Sequence, residues 1–173
     1  RKAGAIRSVA GQPVPDFSRL ALGLALDSDA TVADDGTVIG DPTEAALVVL
    51  AAKLGVDAGQ TRRTYPRLAE VPFDSEYKFM ATFHDRPDSL GGGLLRHPHF
   101  ASVKGAPDVV LERCSSALWR GELVPVDSVR GEILAANRQL SERGLRVLAF
   151  AARDLDDAAM SVAITHPMAA VTD

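Results

Sequence analysis

The chain has 173 residues, of which 46% are hydrophobic and 24% charged, a composition typical of one globular domain with its own core. Its net charge is −4 and it has no basic tract with interleaved aromatic residues, so nucleic acid is excluded as a general partner. The single cysteine, Cys114, excludes an internal disulfide and is expected to be a small buried hydrophobe. Because no apolar run reaches the roughly 18 residues of a membrane span, we expect a soluble segment that does not insert into the membrane.

The first part of the chain predicts two helices separated by a polar loop. After a loose, proline-containing start, a helix is expected over about 18–26 and a loop over 27–37. The segment from Pro42 to Leu54 is apolar nearly all round, which predicts a helix buried against a sheet. Gly55 then supplies a C-terminal stop.

The second helix begins within "GDPTEAAL", and this stretch has two interpretations. Asp41 is the expected N-cap, Pro42 fits the first turn, and Glu44 lies where a capping-box carboxylate belongs. Glu44 could instead face a ligand, for example by accepting a hydrogen bond from the amino group of adenine. The local pattern is compatible with either role.

The middle of the chain predicts strands and one short helix. "RLAEVPF" has strand character, and in "KFMATFH" Phe79, Ala81 and Phe83 alternate with the intervening residues. "RPDSLGGGLLRHP" predicts a long flexible connection, and "HFASVKG" a return strand. "APDVVLERC" predicts a short helix with Pro107 near its first turn.

The last part predicts a strand, a helix, another strand and a tail. "ELVPV" leads to an amphipathic helix capped by Asp127 and closed by Gly144, and "LRVLAFAAR" is a strongly apolar strand. The tail after Asp156 has no convincing period and is expected to be partly disordered. We therefore expect one domain over residues 1–173, with a core of about 16–156 and loosely ordered termini. The order of elements predicts an α+β fold, with a mainly antiparallel twisted sheet flanked by helices.

Three cations at strand ends are candidates for ligand binding. Lys78 opens one predicted strand, Lys104 closes the next, and Arg146 begins the last, where it is expected to share a face with Leu148 and Phe150. Antiparallel strands can bring such positions to one edge of a sheet. Three positive groups gathered there would suit a polyanion such as the phosphate chain of a nucleotide.

Other candidate residues have a structural alternative beside the functional one. The small Gly105 could let another molecule approach the backbone next to Lys104, beside a helix N-terminus, or this could be a plain strand-turn-helix with a solvated lysine. Phe73 is either a core residue or an exposed ring that stacks on a purine. The four histidines lack the spacing of metal ligands and are expected to be solvated.

Four motifs occur together and in order: "GDPTEAAL", "VPFDSEYKFMATFH", "VKGAPDVVLERC" and "ERGLRVLAFAARD". They resemble the nucleotide-binding (N) domain of type II P-type cation-transporting ATPases, particularly bacterial pumps similar to calcium ATPases. The resemblance covers about residues 40–154. It implies the N-domain fold and a chain that is a domain excised from a larger enzyme, in agreement with ends that carry no strong structural signal.

The resemblance implies an adenine pocket. In the family pattern Phe73 corresponds to the aromatic residue that stacks on adenine, and Glu44 to the carboxylate near the edge of the base. Leu148 is expected to pack against the base. Ser75 stands where some animal calcium pumps have an arginine and where sodium–potassium pumps have serine, so one phosphate contact is expected to be lost without loss of ATP binding.

The resemblance also implies contacts with the rest of the nucleotide. Lys78 corresponds to a lysine lining the pocket, and Lys104 to the KGAP lysine deep inside it, with Gly105 as the backbone wall. Arg146 corresponds to the arginine that reaches the phosphates. These are the three cations that their positions at strand ends had already singled out.

The resemblance implies ATP binding without catalysis by this chain. The family's DKTGT sequence, whose aspartate takes the γ-phosphoryl group, is absent here, and Mg²⁺ of Mg-ATP would be held mainly outside this chain. We therefore assign no catalytic residue and no metal ligand. The implied partners are ATP and the phosphorylation and actuator domains of a parent protein at the cytoplasmic face of the plasma membrane. The transported ion cannot be read from these residues.

Two other functions compete with this interpretation. A degenerate interaction or regulatory module could keep the fold without nucleotide binding, although Glu44, Phe73, Lys78, Lys104 and Arg146 are all in place. A metal-binding regulatory domain built on the histidines has no ligand spacing to support it.

Overall fold

The computed structural model describes residues 16–33, 35–86 and 97–172. Within these residues the helices are α1 (Ser18–Leu26), α2 (Pro42–Lys53), α3 (Ala58–Thr64), α4 (Pro107–Glu112), α5 (Arg130–Glu142), α6 (Asp157–Thr165) and α7 (Ala169–Thr172), with a 3-10 turn at Val126–Ser128. The strands are β1 (Thr31–Val32), β2 (Val38–Ile39), β3 (Arg67–Val71), β4 (Phe79–Asp85), β5 (His99–Gly105), β6 (Ser116–Trp119), β7 (Glu122–Pro125) and β8 (Ala149–Leu155). The predicted glycine-rich connection falls largely on 87–96, and the loose start on 1–15; both lie outside the described residues.

A four-stranded antiparallel sheet in the order β3-β4-β5-β8 lies at the centre of the fold. Two small antiparallel hairpins, β1-β2 and β6-β7, lie apart from it. Helices pack on both faces of the central sheet, so the α+β prediction with a mainly antiparallel sheet is confirmed.

The two faces of the sheet bury different kinds of residue, because side chains alternate between the faces along each strand. One face carries Phe79, Ala81 and Phe83 of β4 and is entirely apolar where it packs against α4 and α6. The opposite face carries Thr82 and Ser102, which pair with each other across β4 and β5. It faces α1 and a second apolar cluster formed largely by α1 and α2.

The helix α2 begins as the sequence predicts but packs differently. The Asp41 carboxylate accepts hydrogen bonds from the amides of Thr43 at 2.8 Å and Glu44 at 3.2 Å, which confirms the N-cap. Gly55 has a φ of +86°, suited to a helix stop. The helix packs mainly on α1 and on the two-stranded β1-β2 sheet, so the sheet that it contacts most is this small one and not the central one.

The C-terminal part departs from the prediction in two places. Asp127 lies in the 3-10 turn and accepts a hydrogen bond from Arg130, so it does not cap α5. The tail after Asp156 is helical: the Asp156 carboxylate caps α6 by accepting from the Ala159 amide at 2.8 Å. These helices bury one side on the apolar face of the sheet, through Met160, Ala163, Ala170 and Val171. The expected core boundary at 156 and the expected disorder of the tail are therefore wrong.

His84 is buried, in contrast to the expected solvated histidine. It lies beside the end of α3 and the start of β3, where Nδ1 donates to the Tyr65 carbonyl oxygen at 3.0 Å. The ring stacks on Phe100 with 5.4 Å between centroids. Burial lowers the pKa of His84 to about 4, so the imidazole is neutral at physiological pH.

Candidate functional site

The sheet register brings the three predicted cations to one end of the sheet. Phe79 at the start of β4 pairs with Gly105 at the end of β5, and Gly105 pairs with Ala149 at the start of β8. Lys78 immediately precedes β4, and Lys104 is the second-last residue of β5. Arg146 lies three residues before the start of β8. The candidate site is therefore built where these strand ends meet.

Lys104 is buried, with 6% of its surface exposed, and is not the solvated lysine of the structural alternative. Its ammonium donates to Glu44 Oε1 at 2.9 Å and to the backbone carbonyl oxygen of Asp27. A lysine ammonium has three N–H donors, and these contacts occupy two. Ion pairing of this kind is what a buried ammonium requires, because an uncompensated charge in the interior is costly.

Glu44 faces Lys104 and does not fold back onto its own helix start. Besides the contact of Oε1 with Lys104, Oε2 accepts a hydrogen bond from the Asp29 amide at 2.8 Å. The side chain is 19% exposed. The second half of a capping box is therefore not formed. Each carboxylate oxygen can accept more than one hydrogen bond, so Glu44 retains the capacity to accept from a ligand.

Asp27 is part of this site and was not found from the sequence. Its carboxylate is fully buried and accepts hydrogen bonds from Thr82 Oγ1 and Ser102 Oγ, both at 2.6 Å. Burial raises the pKa of Asp27 to about 6, although the two hydroxyls and the positive charges of Lys104 and Arg67 lower it. The sequence offers one signal for such a residue. The apolar strands "KFMATFH" and "HFASVKG" each contain a hydroxyl residue, Thr82 and Ser102, which needs a polar partner when buried.

Two arginines hold the loop that carries Asp27. Arg62 of α3 donates to the carbonyl oxygens of Ala25 at 2.9 Å and Ala30 at 3.1 Å. Arg67 of β3 donates to the Leu26 carbonyl oxygen at 3.1 Å and forms an ion pair with Asp29 at 2.8 Å. The backbone on both sides of Asp27 is therefore anchored to neighbouring elements.

The residues predicted to contact the base lie at the same end of the fold. Phe73 follows β3 and is 61% exposed, so it is not a core residue. Ser75 is exposed beside it, and Leu148 is half-buried against the cluster formed by α1 and α2. An exposed phenylalanine ring at the end of the sheet that also carries Lys104 is compatible with the stacking hypothesis.

Gly105 has no room for a side chain, but its neighbour is the protein itself. A Cβ added there would lie 2.7 Å from the Lys78 carbonyl oxygen and 2.7 Å from Phe79 Cβ. Lys78 has a φ of +57°, and its carbonyl accepts from the Ala106 amide at 3.0 Å. This amide before α4 is thus already hydrogen-bonded. Close backbone packing therefore accounts for the glycine, and the space expected there for another molecule is filled by the protein itself.

Arg146 is exposed and lies outside β8, so the expected sharing of a strand face with Leu148 and Phe150 is wrong. Its guanidinium Nη1 lies 3.4 Å from Thr43 Oγ1, in the first turn of α2. Thr43 directly precedes Glu44 in the sequence, so Arg146 contacts the same turn of α2 that carries Glu44. The exposed guanidinium, which also interacts electrostatically with Asp41, can reorient toward an anion without losing a buried ion pair.

The histidines do not form a metal centre in the described parts of the chain, where no group of three or more His, Cys, Asp or Glu side chains is placed to hold an ion. His99 lies between two carboxylates, with Nδ1 2.6 Å from Asp85 and Nε2 3.0 Å from Asp157. Cys114 is half-buried and its thiol donates to the Val110 carbonyl oxygen, as expected of a structural cysteine. Across the same described residues, each helix is too short or too polar to cross a bilayer.

The chain belongs to the family described as "P-type ATPase, cytoplasmic domain N", whose sequence profile matches residues 17–170. It is 41% identical over 124 residues to "Cation-transporting ATPase pma1" of Synechocystis sp., covering 71% of this chain and 12% of that protein. It is 33% identical over 143 residues to "Calcium-transporting ATPase 1" of Lactococcus lactis, covering 82% and 15%. It is 38% identical over 147 residues to "Probable cation-transporting ATPase F" of Mycobacterium bovis, covering 79% and 15%. The chain thus spans 12–15% of the length of these relatives.

The packing at Gly105 predicts that a methyl group there is not tolerated. Gly105→Ala should lower the free energy of unfolding by about 1–3 kcal/mol, because the new Cβ would meet the Lys78 carbonyl oxygen and the Cα and Cβ atoms of Phe79. Gly131→Ala, in the exposed α5 with nothing within 4 Å of the added carbon, is the matched control and should be neutral or stabilising. Urea unfolding of both variants measures this, and equal effects at the two positions would contradict it.

The buried Asp27 predicts a pH-dependent difference between the wild type and Asp27→Asn. Because its pKa is raised from 3.8 to about 6 in the folded chain, its contribution to stability is present below pH 4 and is lost as the pH rises through 6. The free energy of unfolding of the wild type minus that of the variant should therefore fall by on the order of 3 kcal/mol between pH 4 and pH 7.5. The titration of His84 is common to both proteins and cancels in this difference. A difference that does not change with pH would contradict the assignment.

Proposed function

We propose that this chain is the ATP-binding domain of a P-type cation-transporting ATPase. In this proposal it holds adenine and positions the γ-phosphate for transfer to an aspartate on a separate phosphorylation domain. The observation that carries the proposal is the buried Lys104–Glu44 pair at the sheet end where Phe73, Lys78 and Arg146 also lie. Membership of the N-domain family supports it.

The adenine base would be held by stacking and by one polar contact. The exposed Phe73 ring offers a stacking surface, and base–aromatic stacking is worth about 1–3 kcal/mol in other nucleotide-binding proteins. Glu44 would accept from the exocyclic amino group while it stays bonded to Lys104 and the Asp29 amide. Leu148 would add an apolar contact with the base. Ser75 would add an uncharged polar contact.

The phosphates would be held by the cations around the sheet end. The remaining donor of Lys104 faces the ligand in this proposal, with Gly105 as the wall beside it. Lys78 and Arg146 are exposed and can move toward the phosphate oxygens, where charge-assisted hydrogen bonds are strong. Ser75 supplies no charge, so the contribution of the phosphates to affinity depends on these three residues.

The chemistry would be completed by other parts of a parent chain. Phosphoryl transfer depends mainly on positioning and charge stabilisation, which this domain would supply by presenting the γ-phosphate. The phosphorylated aspartate and the principal ligands of Mg²⁺ would lie on the phosphorylation domain, so the isolated chain should bind ATP without hydrolysing it. Closure against the phosphorylation and actuator domains would couple this step to ion movement.

The proposal extends to the whole protein. Residues 1–173 would form one domain of an ATP-driven cation translocase located at the cytoplasmic face of the plasma membrane. A pump similar to calcium ATPases is the version supported by the name of the Lactococcus lactis relative. The ion ligands would lie in membrane helices of the parent protein.

An NMR titration of this chain with ATP and with AMP tests the proposal. We expect saturable shifts at the amides of Phe73, Lys78 and Gly105, and at least tenfold weaker binding by Lys104→Met, because the buried ammonium and its free donor are removed. Lys53→Met, an exposed lysine at the end of α2, is the matched control and should bind like the wild type.

Three outcomes of this titration are informative. Shifts with ATP that exceed those with AMP support the role of the cations in holding phosphates. Similar shifts with both ligands would indicate that the affinity comes from adenine, and that other domains of the parent protein bind the phosphates. No shift at millimolar ATP would contradict nucleotide binding and favour a degenerate module of the same fold.

A further inference from the structure

The loop from Asp27 to Ala30, here called the anchor loop, contacts both members of the buried ion pair. The Asp27 carbonyl oxygen accepts from the Lys104 ammonium, and the Asp29 amide donates to Glu44 Oε2. Ser28 Oγ also donates to the backbone carbonyl oxygen of Glu44 at 3.3 Å. Three consecutive residues of one loop thus set the positions of the two side chains proposed to hold the ligand.

The Asp27 carboxylate ties the anchor loop to the sheet. Its two oxygens accept from Thr82 on β4 and Ser102 on β5, which are direct partners in the strand register. Both hydroxyl-bearing residues are buried, and no part of Asp27 is exposed. The carboxylate therefore fixes the distance between the loop and β5, the strand that carries Lys104.

This arrangement is costly if its only purpose is to support the fold. A buried carboxylate loses the hydration that an ionised group has in water, and a neutral residue could fill the same volume at lower cost. Arg62 and Arg67 already hold the end of α1 and the end of the loop, through the carbonyl oxygens of Ala25, Leu26 and Ala30. The Asp27 carboxylate additionally orients the backbone carbonyl group of Asp27, which accepts the hydrogen bond from Lys104.

We propose that Asp27 is a positioning residue for nucleotide binding: its carboxylate fixes the anchor loop so that the loop's backbone aims Lys104 and Glu44 at the ligand. This inference rests on the proposed function. Without the carboxylate the Asp27 carbonyl group is oriented only by the backbone contacts on either side of it, and its hydrogen bond to Lys104 is weakened. The ammonium then swings toward Glu44, and its remaining donor no longer points at the ligand.

The test is a double-mutant cycle on ATP affinity, measured by NMR titration or calorimetry. Asp27→Ala should weaken ATP binding at least tenfold, whereas Asp27→Asn should stay within about threefold of the wild type, because an amide can still accept from one hydroxyl and donate to the other. In the Lys104→Met background, Asp27→Ala should weaken binding clearly less than it does in the wild-type background, because only the effect through Glu44 remains.

Several results would overturn the inference. These are wild-type affinity in Asp27→Ala, an equal loss in both backgrounds, or an Asp27→Asn variant as weak as Asp27→Ala. Met160→Ala, in the core on the opposite face of the sheet, controls for a general loss of stability and should leave the affinity unchanged. If the wild type itself does not bind ATP, the proposed function and this inference both fail; if it binds and Asp27→Ala binds equally well, only this inference fails.

Milder variants keep the test decisive if Asp27→Ala does not fold. Thr82→Val and Ser102→Ala each remove one anchoring hydroxyl and leave the carboxylate in place. Combined, they should weaken ATP binding at least threefold in a chain whose amide spectrum remains that of a folded protein. Unchanged affinity in this folded double variant would overturn the inference.

Discussion

The burial of the Lys104 ammonium is the constraint on which the arrangement of the site depends. A charge enclosed at the end of a sheet must be compensated, and the compensation comes from two elements distant in sequence. Glu44 on α2 supplies a carboxylate, and the loop after α1 supplies the Asp27 carbonyl oxygen. To satisfy one lysine, α2 must therefore pack on α1, and α1 on the polar face of the sheet. This explains why the site and the packing of the N-terminal half cannot be separated.

The two faces of the sheet bury different kinds of side chain. The face that carries Phe79 and Phe83 is apolar, packs against α4 and α6, and contains none of the candidate ligand-binding side chains. The other face carries the buried polar side chains of Thr82, Ser102 and Lys104. The two hydroxyls are hydrogen-bonded to Asp27, and the ammonium forms an ion pair with Glu44. A buried polar network of this kind is stable only when each member has a partner. The apolar face supplies the rigid support that keeps those partners in place.

Local patterns were sufficient to predict the helix over 18–26, the strand over 99–105 and the gathering of Lys78, Lys104 and Arg146 at one end of the sheet. They were insufficient for Asp27, whose hydroxyl partners lie 55 and 75 residues away. The burial of His84 also depends on distant packing. The tail was misjudged because α6 and α7 are short, and their stability comes from Asp156 as a cap and from contacts with the sheet. Short elements of this kind have too few residues to show a period.

Lys104 is held in advance in a protected, ion-paired position, from which it would meet ATP under the proposed function. The most direct measurement is NMR observation of the lysine ammonium groups, with the exposed Lys53 as the internal reference. The account predicts a Lys104 ammonium signal that exchanges slowly with water, shifts when ATP is added, and loses its protection in Glu44→Gln. A Lys104 signal that exchanges as fast as that of Lys53 and does not respond to ATP would contradict it.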